Sequence, residues 1–349
     1  MISSSRKIDL ALLQLEQYDT SSYISKRKEV NPKIADRLKM TFRIKITNIF
    51  ANFLGVFHAN IMIEAIVRLG EKLVWIWVKN RITYLKSRGL KVIAIAGSYG
   101  KTSVKQYSYE FLRHKYCVVA TPESFNTVFG IAKCLYYEVD QFIQIFVVEL
   151  GAYHMGDITY LLHMVQPDLG VLSGIARQHL VRFGSFENIK KAKGEIAEFM
   201  QNTGGALVAN GSDNTVREIV EKLGVNPIWY GVGQSRNEIN LDGAKKIAKH
   251  YGITNFDARI RHVKNRFEMT TERYGMSVID DSFSSNDYGF MSAIKYLERQ
   301  NKYTRILVTP GIVELGEESN NIHFELGRQI VGKADFVILV GHNERTANL

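Results

Sequence analysis

Cysteine and proline are scarce in this sequence: the 349 residues include two cysteines, Cys117 and Cys134, and five prolines. Two cysteines provide neither a disulfide framework nor a cysteine-rich zinc site, which is typical of a protein from a reducing compartment. Hydrophobic residues make up 46% and charged residues 23% of the chain, so nothing in it has the composition of a disordered protein. A chain of this length and composition can bury a large core and is expected to form two or more domains.

Long hydrophobic runs are missing as well. Residues 1–45 lack the apolar core of a secretory signal. The segment Ile49–Ile63 has no formal charge, but its 15 residues fall short of the about 20 that a membrane-spanning helix needs. Ile61–Val78 mixes charged with apolar residues, which indicates an amphipathic helix. We therefore expect a cytoplasmic protein with two apolar helices over 46–88, of which residues 46–79 lie on the inner face of the membrane or on the catalytic part.

Positive charge is concentrated near the amino terminus. Residues 1–90 contain 16 Lys and Arg against 7 Asp and Glu, which accounts for nine of the ten net positive charges of the chain. Nucleic acid is not expected as a partner, because the part of the chain that carries the motifs is almost neutral. A basic helical segment suits an anionic membrane surface or a diphosphate-bearing substrate, and an ordinary solvated helix face explains it equally well.

From Lys91 onward, strands and helices alternate. The predicted strands are 92–96, 116–120, 143–149, 169–173, 205–209, 227–230, 276–280, 304–309 and 335–340. The predicted helices include 101–114, 127–138, 154–164, 188–201, 287–299 and 319–332. Repeated strand–helix units indicate a mostly parallel sheet that is covered on both faces. We predict an α/β protein with a helical basic segment (1–90), a phosphate-loop central domain (91–270) and a partial Rossmann-like α/β domain (271–349).

One motif points directly to a ligand. The apolar run Val92–Ala96 is followed by the sequence Gly97-Ser98-Tyr99-Gly100-Lys101-Thr102. A glycine turn between a buried strand and a helix directs backbone N–H groups at one point, and the Lys-Thr pair adds a positive charge and a hydroxyl that can bind Mg²⁺. The motif therefore predicts a triphosphate site. It is shorter than the common eight-residue form, because Ile95 stands where that form has glycine.

Further polar residues follow the next predicted strands. Glu149 ends strand 143–149, at the edge where ligands bind in open α/β sheets, and it is well placed to bind Mg²⁺. His179 lies in the loop after strand 169–173, and Lys193 lies in a lysine-rich helix. From the residues alone, His179 is as compatible with a structural role, and the lysines with a solvated helix face.

Together these segments resemble the Mur ligase family, the ATP-dependent amino-acid and peptide ligases of peptidoglycan synthesis. The resemblance extends from about Lys91 to the end of the chain. Gly97–Ser103 is similar to the family's phosphate loop, and Thr121–Gly130 is similar to a loop with a functional asparagine, here Asn126. By the same resemblance, Glu149 falls on a Mg²⁺-binding glutamate.

The resemblance continues along the chain. It places His179 on a second-metal histidine and Lys193 on a lysine that is carbamylated in these enzymes, so that an anionic carbamate can bind Mg²⁺. Asn237 and Asn240 resemble an asparagine pair that contacts adenine and opens a helix. Further similar elements include Arg266, the signature Ile279–Asn286 and the Glu-Leu-Gly stretch at Glu314–Gly316.

The resemblance implies ATP and Mg²⁺ as cofactors and a role for each matched residue. Gly97, Ser98, Tyr99, Gly100 and Ser103 would cradle phosphate, Lys101 would neutralise it, and Asn126 would complete the nucleotide site. Thr102 and Glu149 would hold one Mg²⁺, and His179 with carbamylated Lys193 would hold the second. Asn237, Asn240, Arg266 and Asp281 would contact the nucleotide, and Ser284 and Asn286 the incoming amine.

Three departures from the family pattern stand out. Residues 1–90 do not resemble the domain that holds the UDP sugar in the family. The segment 237–275 is shorter than the usual linker. The family's third domain has further strands after Val340, so the resemblance implies that 271–349 is an incomplete third domain, either of a truncated sequence or of an unusually reduced enzyme.

Within the family, the signatures at 279–286 and 313–327 are similar to the MurF type, which joins D-alanyl-D-alanine to a UDP-N-acetylmuramoyl tripeptide through an acyl phosphate. We therefore expect a monomeric ligase that acts on such small-molecule substrates. A folylpolyglutamate, cyanophycin or lipid II amidating type of ligase is the alternative, although two cysteines are too few for the four-cysteine zinc site of the last. A non-catalytic nucleotide-binding protein at the membrane is a third reading, which the intact set Lys101, Glu149, His179 and Lys193 disfavours.

Overall fold

The computed structural model describes residues 42–233, 235–256, 268–271, 275–281 and 286–349. Arg266, Ser284 and the helices predicted in residues 1–41 lie outside the described residues. By its internal contacts the chain divides into two units, Met1–Ile76 and Trp77–Leu349.

A single helix, α1 (Phe42–Ser87), replaces the two helices that the sequence predicts over 46–88. The prediction of a break was wrong because this segment contains no proline, and its glycines, Gly55 and Gly70, each reduce helix stability by only about 1 kcal/mol relative to alanine. Among the described residues, no helix has the length and apolar character that crossing a membrane requires.

Six parallel strands form the central sheet, as the alternating pattern predicts. They are β1 (Lys91–Ala96), β2 (Val118–Ala120), β3 (Ile145–Glu149), β4 (Leu169–Leu172), β5 (Ala206–Asn210) and β6 (Ile228–Tyr230). Their order across the sheet is β2-β3-β1-β4-β5-β6. The chain first adds strands on one side of β1 and then on the other, so the carboxyl end of β1 lies at the topological switch point where open α/β sheets bind ligands.

Helices connect these strands and cover both faces of the sheet. They are α2 (Lys101–Leu112), α3 (Val128–Glu138), α4 (Asp157–Val165), α5 (Leu180–Phe183), α6 (Phe186–Thr203), α7 (Asn214–Leu223) and α8 (Arg236–His250). On one face, Ile93 and Ile95 of β1 pack with Phe111 of α2 and Ile247 of α8. On the other face, α6 packs on β4 so closely that a Cβ at Gly170 would lie 2.5 Å from Cγ of Met200.

The carboxyl-terminal part contains two smaller strand pairs. The strands β7 (Glu268–Thr271) and β8 (Ser277–Asp280) are antiparallel, whereas β9 (Ile306–Thr309) and β10 (Phe336–Leu339) are parallel. The helices of this part are α9 (Asp287–Glu298), α10 (Ser319–Ile330) and α11 (Glu344–Ala347), with a 3₁₀ turn at Gly316–Glu318. The parallel pair agrees with the predicted strand–helix unit, and β7 was not predicted.

The carboxyl-terminal end of α1 is attached to the sheet. Lys86 Nζ donates to the Gln166 carbonyl at 2.7 Å and to Asp168 Oδ2 at 2.8 Å. Asp168 Oδ2 also accepts a hydrogen bond from the backbone N–H of Val92 at 2.9 Å, so the same carboxylate joins α1 to the start of β1.

Candidate active site at the carboxyl edge of the sheet

The phosphate loop follows β1 at the switch point, and two of its glycines are required by its geometry. Gly97 has φ +145°, and a Cβ there would lie 2.1 Å from Ser173 Oγ. Gly100 has φ +83°, and a Cβ there would lie 2.8 Å from Asn240 Oδ1. Residues that carry a side chain rarely adopt such backbone conformations, and neither position has room for a Cβ atom. Only glycine therefore lets this turn pass between β4 and α8.

The loop leads into α2 with donors suited to an anion. Among the described residues, no side chain caps the first turn of α2, whose backbone N–H groups lack partners within the helix. Ser98 is buried, and its Oγ has no hydrogen-bond partner among the described residues. Lys101 Nζ lies 3.2 Å from the Ser98 carbonyl. A buried hydroxyl without a partner, beside a lysine and a helix N-terminus, fits the phosphates of a nucleotide.

Glu149 ends β3 beside the first turn of α2. Its Oε2 accepts hydrogen bonds from Thr102 Oγ1 at 2.9 Å and from Lys105 Nζ at 3.1 Å. The side chains of Glu149 and Lys105 are only 2% and 3% exposed. Burial alone would raise the pKa of Glu149, but the charges of Lys101 and Lys105 outweigh burial and hold that pKa below its ordinary value. Glu149 is therefore an ionised carboxylate next to the hydroxyl of Thr102.

Lys193 lies on α6 and is buried. Its Nζ is 3.2 Å from the carbonyl oxygen of Ala152, in the loop that follows β3. Burial, together with the charge of Lys101, lowers the pKa of Lys193 to about 7, although nearby carboxylates, Glu149 among them, oppose the shift. A substantial fraction of this amine is therefore uncharged at neutral pH, the form that can react with carbon dioxide.

His179 lies immediately before α5 and has a left-handed backbone conformation, with φ +59°. Its Nδ1 is paired with Oε2 of Glu314, and its ring contacts the ring of Tyr153. Burial lowers the pKa of His179, and the charges of Lys193 and Lys101 lower it further, against the opposing effect of Glu314. Lys193 Nζ also lies 5.4 Å from the ring centroid of Phe183 in α5, which places Lys193 beside the short helix that follows His179.

The donors present fit magnesium better than a softer metal. Among the described residues, no group of three or more His, Cys, Asp and Glu side chains has metal-site geometry. The Thr102 hydroxyl and the ionised Glu149 carboxylate are the oxygen donors that Mg²⁺ prefers. A carbamate on Lys193 would supply further anionic oxygens near His179. These residues would therefore hold Mg²⁺ together with nucleotide phosphates.

A small cavity joins the phosphate loop to residues that are distant in sequence. It is lined by Ser98, Tyr99, Gly100, Ser103, Arg236, Asn237, Asn240, Asp281 and Asn286. Asn237 and Asn240 lie in the first turns of α8, and Arg236 Nη2 donates to Asp281 Oδ2 at 2.7 Å. The structure thus brings the predicted asparagine pair and Asp281 to the phosphate loop.

Tyr99 connects the phosphate loop to three other elements. Its hydroxyl donates to Asp213 Oδ2 at 2.7 Å, and its ring stacks on Tyr288 of α9 with centroids 4.0 Å apart and planes at 16°. Burial and the Asp213 carboxylate raise the pKa of Tyr99, so its hydroxyl keeps the proton that it donates. The ring also occupies the space beside Gly174, where a Cβ would lie 2.0 Å from the ring atom Cζ.

Two other predicted residues have structural contacts. A Cβ at Gly151 would lie 2.7 Å from Asn126 Oδ1, so Asn126 packs against the loop that begins at Glu149. Asn286 is buried and caps α9, since its side chain accepts a hydrogen bond from the Gly289 N–H at 2.8 Å. A capping role accounts for Asn286 without an amine substrate, although it also borders the cavity.

Sequence reasoning missed three residues of the site, Lys105, Asp213 and Arg236, and it named Glu314 only as part of the Glu-Leu-Gly stretch. Lys105 carried a usable signal, because it lies one helical turn after Lys101 and therefore near the same face of α2. Arg236 directly precedes the asparagine pair, so its place near the site could also have been predicted from the sequence. Asp213 had no such signal, and neither did the pairing of Glu314 with His179, because in each case the partner lies more than 100 residues away in the chain.

The fold and parts of the sequence are shared with known proteins. The family model of the Mur ligase middle domain matches residues 95–279. The UDP-N-acetylmuramoyl-tripeptide–D-alanyl-D-alanine ligase of Haemophilus influenzae is 27% identical over 295 residues, which cover 73% of this chain and 63% of that protein. The Escherichia coli protein of the same name is 24% identical over 293 residues, 72% of this chain and 63% of that protein. This chain therefore spans less than two thirds of the length of these curated relatives.

Solved structures agree with this match. The MurF ligase from Thermotoga maritima in complex with ADP superposes with a TM-score of 0.69 at 22% identity, covering 79% of this chain and 71% of that one. MurF from Acinetobacter baumannii gives a TM-score of 0.67 at 24% identity, with 78% and 69% covered. At such identities the likeness shows the fold. Because the matched residues 95–279 are more than half of its length, the chain belongs to the Mur ligase family.

Proposed function

We propose that this protein is an ATP-dependent ligase of the MurF type, which joins D-alanyl-D-alanine to a UDP-N-acetylmuramoyl tripeptide. The observation that carries the proposal is the convergence of the phosphate loop, the Thr102–Glu149 pair and buried Lys193 at one edge of the sheet. The names of the curated relatives support the choice of substrates.

In the proposed reaction, the γ-phosphoryl group of ATP passes to a substrate carboxylate and gives an acyl phosphate. The amine of the second substrate then attacks the acyl carbon, the amide bond forms and inorganic phosphate leaves. Bound Mg²⁺ would neutralise phosphate charge. Lys101 and the N-terminus of α2 hold and neutralise the transferred group, so the protein contributes mainly through positioning and electrostatics.

Lys193 would act as a carbamate in this scheme. The neutral amine adds to carbon dioxide, a proton is released, and the cation becomes an anion that can bind metal. The lowered pKa of Lys193 supports this assignment, because only the unprotonated amine reacts.

The test is a phosphate-release assay with ATP, Mg²⁺, UDP-N-acetylmuramoyl tripeptide and D-alanyl-D-alanine. Release that requires both substrates, with formation of the pentapeptide product, would support the proposal. Turnover only with a folate, a cyanophycin primer or lipid II would replace it with another ligase type. Nucleotide binding without turnover on any of these would favour the non-catalytic alternative.

Replacing Lys193 by Ala should abolish phosphate release, and short carboxylic acids should restore part of it. The matched control is Lys191→Ala, since Lys191 is exposed on the same helix. Full activity of Lys193→Ala would refute the carbamate assignment.

We also propose that α1 contacts an anionic membrane surface from the cytoplasmic side. Four apolar side chains, Ile66, Leu69, Leu73 and Ile76, recur every three to four residues and are 42–61% exposed. The excess of nine positive charges over residues 1–90 would favour anionic lipid. The full chain should co-sediment with vesicles that contain phosphatidylglycerol and not with phosphatidylcholine alone, and Leu69→Gln with Leu73→Gln should abolish this. Equal binding to both vesicle types would contradict it.

A further inference from the structure

The pair formed by His179 and Glu314 joins two segments 135 residues apart. His179 lies in the loop after β4, and Glu314 lies between β9 and α10. Oε2 of Glu314 meets Nδ1 of the imidazole. A second bond reinforces the contact, since the Val181 N–H donates to the Glu314 carbonyl at 3.3 Å.

Both partners have a left-handed backbone conformation, which residues other than glycine rarely adopt. His179 has φ +59° and Glu314 has φ +62°, whereas a left-handed residue other than glycine usually carries a cost of about 1 kcal/mol or more. Gly316 follows in the same left-handed conformation and lies against Val181. A Cβ added at Gly316 would be 3.6 Å from Val181 Cγ2. Two strained residues that face each other across one contact point to a functional role for that contact.

The chemistry of the pair is that of an oriented metal ligand. A histidine that binds a metal through one nitrogen commonly donates its other N–H to a carboxylate, which fixes the tautomer and the ring orientation. With Nδ1–H directed at Glu314, Nε2 is the nitrogen that remains for a ligand. The edge of Tyr153 against the imidazole, at 5.2 Å between centroids, further limits rotation of the ring.

We propose that Glu314 is a positioning residue for the metal site: it holds the Nδ1–H tautomer of His179, and it makes that site complete only when the segment after β9 is docked on α5. The inference rests on the proposed function for the identity of the ligand. It adds that the carboxyl-terminal part supplies the group that orients a metal ligand of the central part.

The experiment compares the full chain with Glu314→Ala and Glu314→Gln. Glu317→Ala is the matched control, because Glu317 is exposed in the adjacent 3₁₀ turn. The first measurement is the ¹⁵N NMR spectrum of the histidine rings without metal or nucleotide, with His179 assigned by its loss in His179→Asn. The second is Mn²⁺ affinity in the presence of ADP, measured by electron paramagnetic resonance. Melting temperatures establish that each variant is folded.

The expected result is a mixed tautomer for His179 in Glu314→Ala and Mn²⁺ binding weakened about 10- to 100-fold. Glu314→Gln, which can still accept a hydrogen bond, should keep the tautomer and lose less affinity, and Glu317→Ala should match the wild type. A merely structural role would change the melting temperature and leave the tautomer of the folded protein as it is.

Two outcomes would overturn the inference: an unchanged His179 tautomer in Glu314→Ala, or Mn²⁺ affinity within twofold of wild type. Failure of the proposed ligase gives a different result. In that case the wild-type protein would bind Mn²⁺ in a Glu314-dependent manner and release no phosphate with the peptide substrates.

Discussion

At the scale of single residues, two buried lysines have different electrostatic surroundings. Lys105 is neutralised by Glu149 at 3.1 Å, whereas Lys193 is buried beside another cation, Lys101, and has a pKa of about 7. One lysine therefore stabilises a charge, and the other is poised to lose its own. Both properties can be measured without any substrate.

Removal of Lys105 should leave Glu149 as a buried carboxylate without the cation that is hydrogen-bonded to it. We expect Lys105→Met to lower the free energy of unfolding by about 3–5 kcal/mol, and Glu149→Gln in the same chain to restore part of the loss. Lys190→Met, which removes a cation whose partners Glu187 and Glu218 are exposed, should cost less than about 1 kcal/mol. Urea denaturation measures all three. Equal effects at the two lysines would contradict the buried pair.

Lys193 should make stability depend on pH in a defined direction. Its pKa falls from about 10.5 in the unfolded chain to about 7 in the folded one, so between these values the unfolded state holds one proton more. The free energy of unfolding then rises with pH, by up to about 1.4 kcal/mol per pH unit. The stability that depends on Lys193 is fully present above pH 10.5 and is lost as the pH falls to 7.

The comparison with Lys193→Met isolates this effect. Urea denaturation in buffers free of carbon dioxide, from pH 7.5 to 9.5, should show the wild type gaining stability relative to the variant as pH rises. A difference that does not change with pH would show that Lys193 keeps its ordinary pKa in the folded protein.

At the scale of elements, the stack of Tyr99 on Tyr288 joins the phosphate loop to α9. Tyr288→Ala should weaken ADP binding about 2- to 10-fold, because an aromatic pair contributes about 0.5–1.5 kcal/mol beyond its buried area and the loop would lose this support. Calorimetric titration with ADP measures the change. Tyr303→Ala is the control, since Tyr303 is 73% exposed. Unchanged ADP affinity in Tyr288→Ala would show that the stack does not support the loop.

Elements with continuous apolar runs were predictable, and contacts between distant segments were not. The run Val92–Ala96 is buried on both faces, so its composition alone identifies β1. The unbroken α1 was missed because the change from the uncharged segment Ile49–Ile63 to the amphipathic segment Ile61–Val78 resembles a boundary while remaining compatible with one helix. The pairing of His179 with Glu314 depends on how the carboxyl-terminal part docks, for which the local sequence carries no periodic signal.

At the scale of the whole molecule, nucleotide binding should be visible as added stability. ADP with Mg²⁺ at 100 times its dissociation constant should add about 2.7 kcal/mol to the free energy of unfolding. Differential scanning fluorimetry of the full chain gives the corresponding rise in melting temperature. Lys101→Ala should abolish most of that rise, and retention of the full shift in this variant would place the nucleotide away from the phosphate loop.

The close approach of Tyr99 to Gly174 makes these two positions depend on each other. A Cβ at position 174 would lie 2.0 Å from the tyrosine ring, so no other residue there tolerates Tyr99 in its present place. A larger residue at 174 would push the ring away from its hydrogen bond to Asp213 and from its stack on Tyr288. A substitution at position 174 would therefore be transmitted to the phosphate loop through Tyr99.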